Sequence, residues 1–150
     1  MKMNKWLKLG LTILVCQGAG LIGTIFTLEA IPTWYAGLNK PWFTPPNWLF
    51  GPMWTTLYTL MAVAVWRAKD KRAKKIFWIH LLINAIWTPI FFGAKNLGLA
   101  MGIIFVLWLM IGWLIKLFWM EDKTAGKLLI PYFLWVSLAS ALNFSLWQLN

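Results

Sequence analysis

Five long apolar stretches constrain this chain more than any other feature. They run roughly over Leu7–Leu28, Trp48–Trp66, Ile76–Phe92, Leu97–Trp119 and Leu128–Leu149. None contains an acidic residue, and the basic residues within these limits, Lys8 and Lys116, lie near span ends. A helix needs about 20 apolar residues to cross a bilayer, so five such spans and short connections use up the chain. Charged residues are 12% of it and hydrophobic ones 61%. A soluble domain carries about 25% charge, and one of this size could not bury so much apolar side chain. The expected fold is all-α: one integral membrane bundle of five transmembrane helices over residues 1–150, with an extramembrane lid loop over 29–47. Span three is the shortest, so it tilts little or begins before Ile76. Stretches such as Met101–Met110 lack the alternation of a transmembrane barrel. The first run follows Lys2, Lys5 and Lys8 but is too long for a signal peptide. It reads as a retained helix.

Basic residues orient the bundle. With five spans, the N-terminus, second loop and fourth loop share a side. That side holds Lys2, Lys5, Lys8, Arg67, Lys69, Lys71, Arg72, Lys74, Lys75, Lys116, Lys123 and Lys127, whereas the other holds only Lys40 and Lys95. Such asymmetry places the N-terminus in the cytoplasm and the C-terminus outside. It also accounts for the net charge of +10 through topology and anionic lipid. No nucleic-acid-binding module is visible.

The first loop, EAIPTWYAGLNKPWFTPPN, is 19 residues long, which is long for a small bundle. Pro32, Pro41, Pro45 and Pro46 stiffen it. Trp34, Tyr35, Trp42 and Phe43 read as interfacial anchors, as a structured lid over the outer mouth, or as both. Pro52 lies one turn inside span two and should bend it near Gly51. Trp54, Tyr58 and Met61 share a helical face. In span three, Asn84 sits mid-membrane and must find a partner inside the bundle. It shares a face with Trp87 or Thr88 and with Phe91. His80, one turn away, is the only histidine and reads mainly as hydrogen-bonded or lipid-side, rather than as a metal or haem ligand. Gly98-x-x-x-Gly102 suits close helix packing, within the bundle or in a dimer. In span five, Pro131 falls in the first turn. Trp135, Ala139 and Leu142 share a face beside Ser140 and a second buried amide, Asn143. Small residues there leave room for something flat or for a neighbouring helix.

Much chemistry is absent. Glu29, Asp70, Glu121 and Asp122 all lie in loops or at span ends, which argues against a proton-driven pump and general acid/base hydrolysis. One His and one Cys, Cys16, make neither a metal site nor a triad. No metal or cofactor is expected. What is left is an apolar cavity lined by aromatics and two amides, suited to a flat hydrophobic ligand. Lys40, near the lid, could meet a ligand carboxylate.

Several dense motifs then carry a resemblance over nearly the whole chain. They are Trp34-Tyr35, Lys40-Pro41-Trp42, Pro45-Pro46, Trp48 with GPMWTTLYTLM, Asn84 with Trp87 and Phe91-Phe92, and Pro131-Tyr132 with Trp135 and Leu142-Asn143. In this order on five spans, the chain resembles the tryptophan-rich sensory protein family, which includes the mitochondrial translocator protein once called the peripheral benzodiazepine receptor. The resemblance implies a five-helix bundle, often a homodimer in membrane lipid. It implies a receptor, sensor or carrier that binds porphyrins and benzodiazepine-type ligands in a cavity under the first loop. The implied cavity residues are Trp54, Tyr58, Asn84, Trp87, Phe91, Trp135, Ala139 and Leu142, with Trp34, Trp42, Pro45 and Asn143 around them. Two alternatives accompany this reading: light- and oxygen-dependent porphyrin degradation, for which Trp54 and Trp135 match the family's implicated tryptophans, and a regulatory membrane interaction protein. The cholesterol-recognition motif of the mitochondrial relatives is missing, since no Lys or Arg follows Lys127. A bacterial-type plasma membrane is therefore expected.

Overall fold

The computed structural model describes residues 3–150; Lys2, counted above among the orienting charges, lies outside them. Six α-helices follow in chain order: α1 (Lys5–Ala30), α2 (Asn47–Arg67), α3 (Lys71–Thr88), α4 (Leu97–Glu121), α5 (Lys123–Leu128) and α6 (Ile130–Leu149). They make five segments long and apolar enough to cross a membrane, with α5 and α6 together forming the fifth, Lys123–Leu149.

Two helix starts lie ahead of the apolar runs, for simple reasons. The third segment runs from Lys71 to Gly93, so of the two readings of its short apolar run it takes the start before Ile76. Asp70 caps α3 by accepting from the N–H groups of Arg72 and Ala73 at 3.1 and 3.0 Å, so the basic run becomes its first turns. The fifth segment starts before Leu128 because Asp122 caps α5 in the same way, through Thr124 and Ala125. The chain therefore turns from α4 into α5 on one residue. It breaks again at Leu129, just before Pro131 in the first turn of α6. Close approach makes the α4–α5 turn possible: a Cβ on Gly126 would lie 2.9 Å from the Trp119 Cα.

Charges gather at that end of the bundle. Arg67 Nη2 meets Asp122 Oδ2 at 2.7 Å, and Glu121 accepts from the backbone N–H of Lys69 and Asp70 at 2.8 Å. Partial desolvation opposes ionisation of Asp122, but the N–H donors of Thr124 and Ala125 and the Arg67 guanidinium outweigh it and hold its carboxyl below the usual value. Trp6 and Trp66 stack at 6.0 Å, with the Lys5 ammonium 5.7 and 5.1 Å from their rings.

Packing divides into two clusters. The larger fills the bundle with Met61, Phe77, Ile104, Ile111, Phe118 and Tyr132. The smaller lies beneath the first loop and joins Ala30, Tyr35, Phe91, Phe92, Ala100, Leu142 and Leu146. α1 packs on α2 and α3, and α4 packs on α3 and α6. Two glycines let α1 come close. A Cβ on Gly20 would lie 2.6 Å from the Tyr58 ring, and one on Gly23 would lie 3.1 Å from Thr88 Oγ1. Gly98 faces Trp147 of α6, while Gly102 has nothing within 4 Å. The Gly-x-x-x-Gly pair is thus half used inside the bundle.

A chain of buried hydrogen bonds ties three of the helices together. Tyr58 of α2 donates its hydroxyl to Asn84 Oδ1 of α3 at 2.6 Å. Asn84 Nδ2 donates to the Tyr132 hydroxyl of α6, also at 2.6 Å. The Tyr132 oxygen therefore accepts from Asn84, and its own proton points to His80 Nε2, 2.8 Å away. His80 then carries its proton on Nδ1, which donates to the Phe77 carbonyl at 3.0 Å. All four side chains are buried, so each lost partner leaves a polar group inside the bundle. Leaving one buried polar group unpaired costs about 1–3 kcal/mol. Tyr132→Phe strands both Asn84 Nδ2 and His80 Nε2, whereas Tyr58→Phe strands only Asn84 Oδ1. Thermal denaturation in detergent should therefore rank wild type above Tyr58→Phe and Tyr58→Phe above Tyr132→Phe. Equal midpoints for all three would contradict the network.

Candidate functional site

The first loop is a packed lid. Tyr35 opens a short 3-10 turn (Tyr35–Gly37) and is almost fully buried against Phe91 and Phe92, with ring centroids at 6.5 and 5.7 Å. Trp34 meets the same pair edge-on at 5.9 and 6.4 Å. The pair becomes available because α3 ends in a π turn over Pro89–Gly93. Pro89 has no N–H to continue the α pattern. The wider turn closes instead with Ala94 N–H donating to the Pro89 carbonyl at 2.8 Å. Two successive phenylalanines are thereby buried. The lid is also latched to the C-terminus. Asn39 N–H donates to Asn150 Oδ1 at 2.9 Å, and Asn150 Nδ2 donates back to the Asn39 carbonyl at 3.0 Å.

Under the lid lies a cavity of about 330 Å³. Residues from α1, α2, the end of α3 and α6 line it. Trp54 and Tyr58 form one wall, with ring centroids 5.5 Å apart. Trp87 and Phe91, 4.9 Å apart, form the next. Trp135, edge-on to Phe50 at 5.9 Å, stands with Ala139, Leu142 and Asn143 on α6. Asn143 holds that corner by accepting from Trp87 Nε1 at 3.3 Å and donating to the Leu97 carbonyl at 2.9 Å. Leu21, Thr24 and Leu28 of α1 and Gly51 and Thr55 of α2 also line the cavity and are exposed on the bundle's outside. The cavity thus reaches the seam between α1 and α2.

Of the residues singled out from sequence, Trp54, Tyr58, Trp87, Phe91, Trp135, Ala139, Leu142 and Asn143 meet around this space. Four others stand elsewhere. Asn84 is one layer behind the wall, where it holds the Tyr58 hydroxyl. Trp34 is half-buried in the lid, behind Phe91 and Phe92. Trp42 is 95% exposed and touches Phe43. Pro45 is half-buried in the extended approach to α2. Lys40 is not among the residues that line the cavity. Its ammonium donates to the Ala36 and Leu38 carbonyls at 3.2 Å and lies 4.9 Å from the Tyr35 ring centre.

The sequence reading missed the α1 wall. Gln17, Gly20, Gly23, Thr24 and Thr27 all line the cavity. Gln17 Nε2 bridges to α2, donating to the Thr55 carbonyl at 2.9 Å and to Thr59 Oγ1 at 3.0 Å. A lone carboxamide in an apolar span needs a partner, just as Asn84 does, so the signal was present. Two buried polar atoms around the site have no partner, Trp135 Nε1 and the Tyr35 hydroxyl. Burial pushes the Tyr35 phenol up to about 12, so it stays a neutral hydroxyl. The described residues contain no cluster of three His, Cys, Asp or Glu side chains able to hold a metal ion. The polar groups lining the site are amides, hydroxyls and indoles, which can orient a ligand.

Known proteins show the same pattern over most of the chain. The model of the TspO/MBR family matches residues 12–148. A tryptophan-rich protein TspO from Archaeoglobus fulgidus is 41% identical, over 96% of this chain and 97% of that protein. The tryptophan-rich sensory protein of Cereibacter sphaeroides is 38% identical, over 99% of this chain and 95% of its own length. The human translocator protein is 30% identical, over 95% of this chain and 89% of its own length. A match of this extent, on a five-span bundle carrying the expected motifs, identifies the chain as a member of the TspO/MBR family.

Proposed function

We propose that this protein is a membrane receptor or carrier for flat hydrophobic ligands of the porphyrin class, bound in the cavity beneath the lid. The observation that supports this most is the wall itself. Trp54 and Trp135 stand on different helices, and Trp87, Phe91 and Tyr58 complete an aromatic lining around one void. Tight helix packing alone would leave no such space. The void of about 330 Å³ is at the small end of ligand sites. A whole tetrapyrrole is larger, so part of its ring would lie in the α1–α2 seam, where exposed Leu21 and Leu28 offer apolar contact. Burial of the ligand's apolar surface supplies most of the attraction, and each well-placed aromatic pair adds roughly 0.5–1.5 kcal/mol.

Porphyrin titration in detergent, read by quenching of tryptophan emission, tests this reading. Trp135→Phe, which removes part of one wall but keeps an aromatic ring, should weaken binding about threefold, part of one stacking contact. Asn84→Ala should weaken it through Tyr58, which loses its hydrogen-bond acceptor. Unchanged affinity in both variants would count against this cavity as the site.

The same reading places the protein in a bacterial-type plasma membrane, N-terminus inside. Lys5, Lys8, Arg67, Lys69, Lys71, Arg72, Lys74, Lys75, Lys123 and Lys127 support this orientation, against Lys40 and Lys95 at the lid end. A cysteine at position 71 in a Cys16→Ser background should react with a membrane-impermeant maleimide only after cells are broken. Labelling of intact cells at that position would reverse the orientation.

A further inference from the structure

We propose that α3 carries a binding site for a single anionic phospholipid, built from Lys71, Lys74, Lys75, Trp78, Ile79 and Leu82. These residues line one shallow surface groove, separate from the cavity. Their spacing is i, i+3, i+4, i+7, i+8 and i+11, so they form one stripe along the helix. Lysines occupy one end of the stripe and exposed apolar side chains the other. Trp78 is 39% exposed, Ile79 47% and Leu82 63%.

The dimensions match the headgroup end of one lipid. From Lys71 to Leu82 the helix rises about 16 Å; the lysines take the headgroup end, and Trp78 to Leu82, about 6 Å, enters the first part of the ~15 Å hydrocarbon depth of a leaflet. A phosphate at the ammonium groups would set the glycerol region near Trp78, the residue type favoured at that depth. An acyl chain would then lie along Ile79 and Leu82. Lys74 is half-buried, so its stem packs on the helix and its ammonium extends towards the headgroups.

The lysines also lack a carboxylate partner within the protein. At this end of the bundle, Asp122 is engaged by Arg67 at 2.7 Å. Glu121 accepts from the N–H groups of Lys69 and Asp70, and Asp70 caps α3. Among the described residues no carboxylate lies within ion-pair distance of Lys71, Lys74 or Lys75. The helix N-terminus is not what attracts the anion, because the Asp70 carboxylate already sits there, accepting from the Arg72 and Ala73 N–H groups. The three ammonium groups must attract the phosphate, and side chains of α3 must hold the chains. A second copy of this protein would bring three more lysines to the same place, so charge favours lipid as the occupant.

Native mass spectrometry of the full chain in non-ionic detergent tests the site. The probes are palmitoyl-oleoyl phosphatidylglycerol, the phosphatidylcholine with the same chains, and glycerol phosphate as a free anion. One phosphatidylglycerol should bind about tenfold more tightly than phosphatidylcholine, and glycerol phosphate should not compete at matching concentration. The triple variant Lys71→Gln, Lys74→Gln, Lys75→Gln should lose that preference. A control triple, Lys116→Gln, Lys123→Gln, Lys127→Gln, makes the same change in net charge on other helices and should keep it. Equal losses in both triples would overturn the site in favour of general charge attraction. Full competition by glycerol phosphate would make it an anion site rather than a lipid site. Dimers lost with the α3 triple, without a lipid adduct, would assign the groove to a second copy.

Discussion

The structure depends on a line of buried hydrogen bonds. Tyr58, Asn84, Tyr132 and His80 link α2, α3 and α6 where apolar side chains supply no directional contact. In a bilayer, the lipid is as apolar as the core, so greasy surface alone gives helices little reason to choose one register. Polar groups that must be paired make that choice. The directions are anchored at one end: the Phe77 carbonyl can only accept, so neutral His80 donates from Nδ1 and its Nε2 accepts the Tyr132 proton. Because Tyr58 also lines the cavity, the same chain that fixes the bundle fixes one wall of the candidate site.

The lid depends on a different device. Pro89 turns the end of α3 into a wider π turn, and Phe91 and Phe92 become a platform for Trp34 and Tyr35. Asn39 and Asn150 latch the loop to the end of α6. Gly20 and Gly23 bring α1 in from the remaining side. The cavity is what these elements leave between them, and its exposed lining residues lie along the α1–α2 seam.

Much of this was legible in the residues. Span number, the importance of the first loop and the faces of Trp54, Tyr58, Trp87 and Trp135 follow from apolar run length and helical spacing. So does the need of Asn84 and Asn143 for partners. Which partners they find does not follow, because spacing within one helix says nothing about register between helices. Asn84 was expected at the cavity and stands behind it for that reason. Trp42 was grouped with the lid by composition, yet its side chain is almost wholly exposed. Lys40 looked free to meet a ligand but is satisfied by carbonyls two and four residues away. The fifth span was expected to start at Leu128, because its run of apolar residues begins there; the cap at Asp122 starts it earlier. On α1 only Gln17 carried a signal, a carboxamide in an apolar span; the glycines and threonines beside it carry no strong sequence signal for a pocket.

Taken together, the residues describe a family member whose buried amides and hydroxyls set the bundle and whose aromatics are arranged around a space. A structure determined with a bound porphyrin tests this most directly. The account predicts the macrocycle between Trp54 and Trp135, beneath Tyr35, with its far edge in the α1–α2 seam. A macrocycle seated on the outer surface, with the space between those two indoles unfilled, would contradict it.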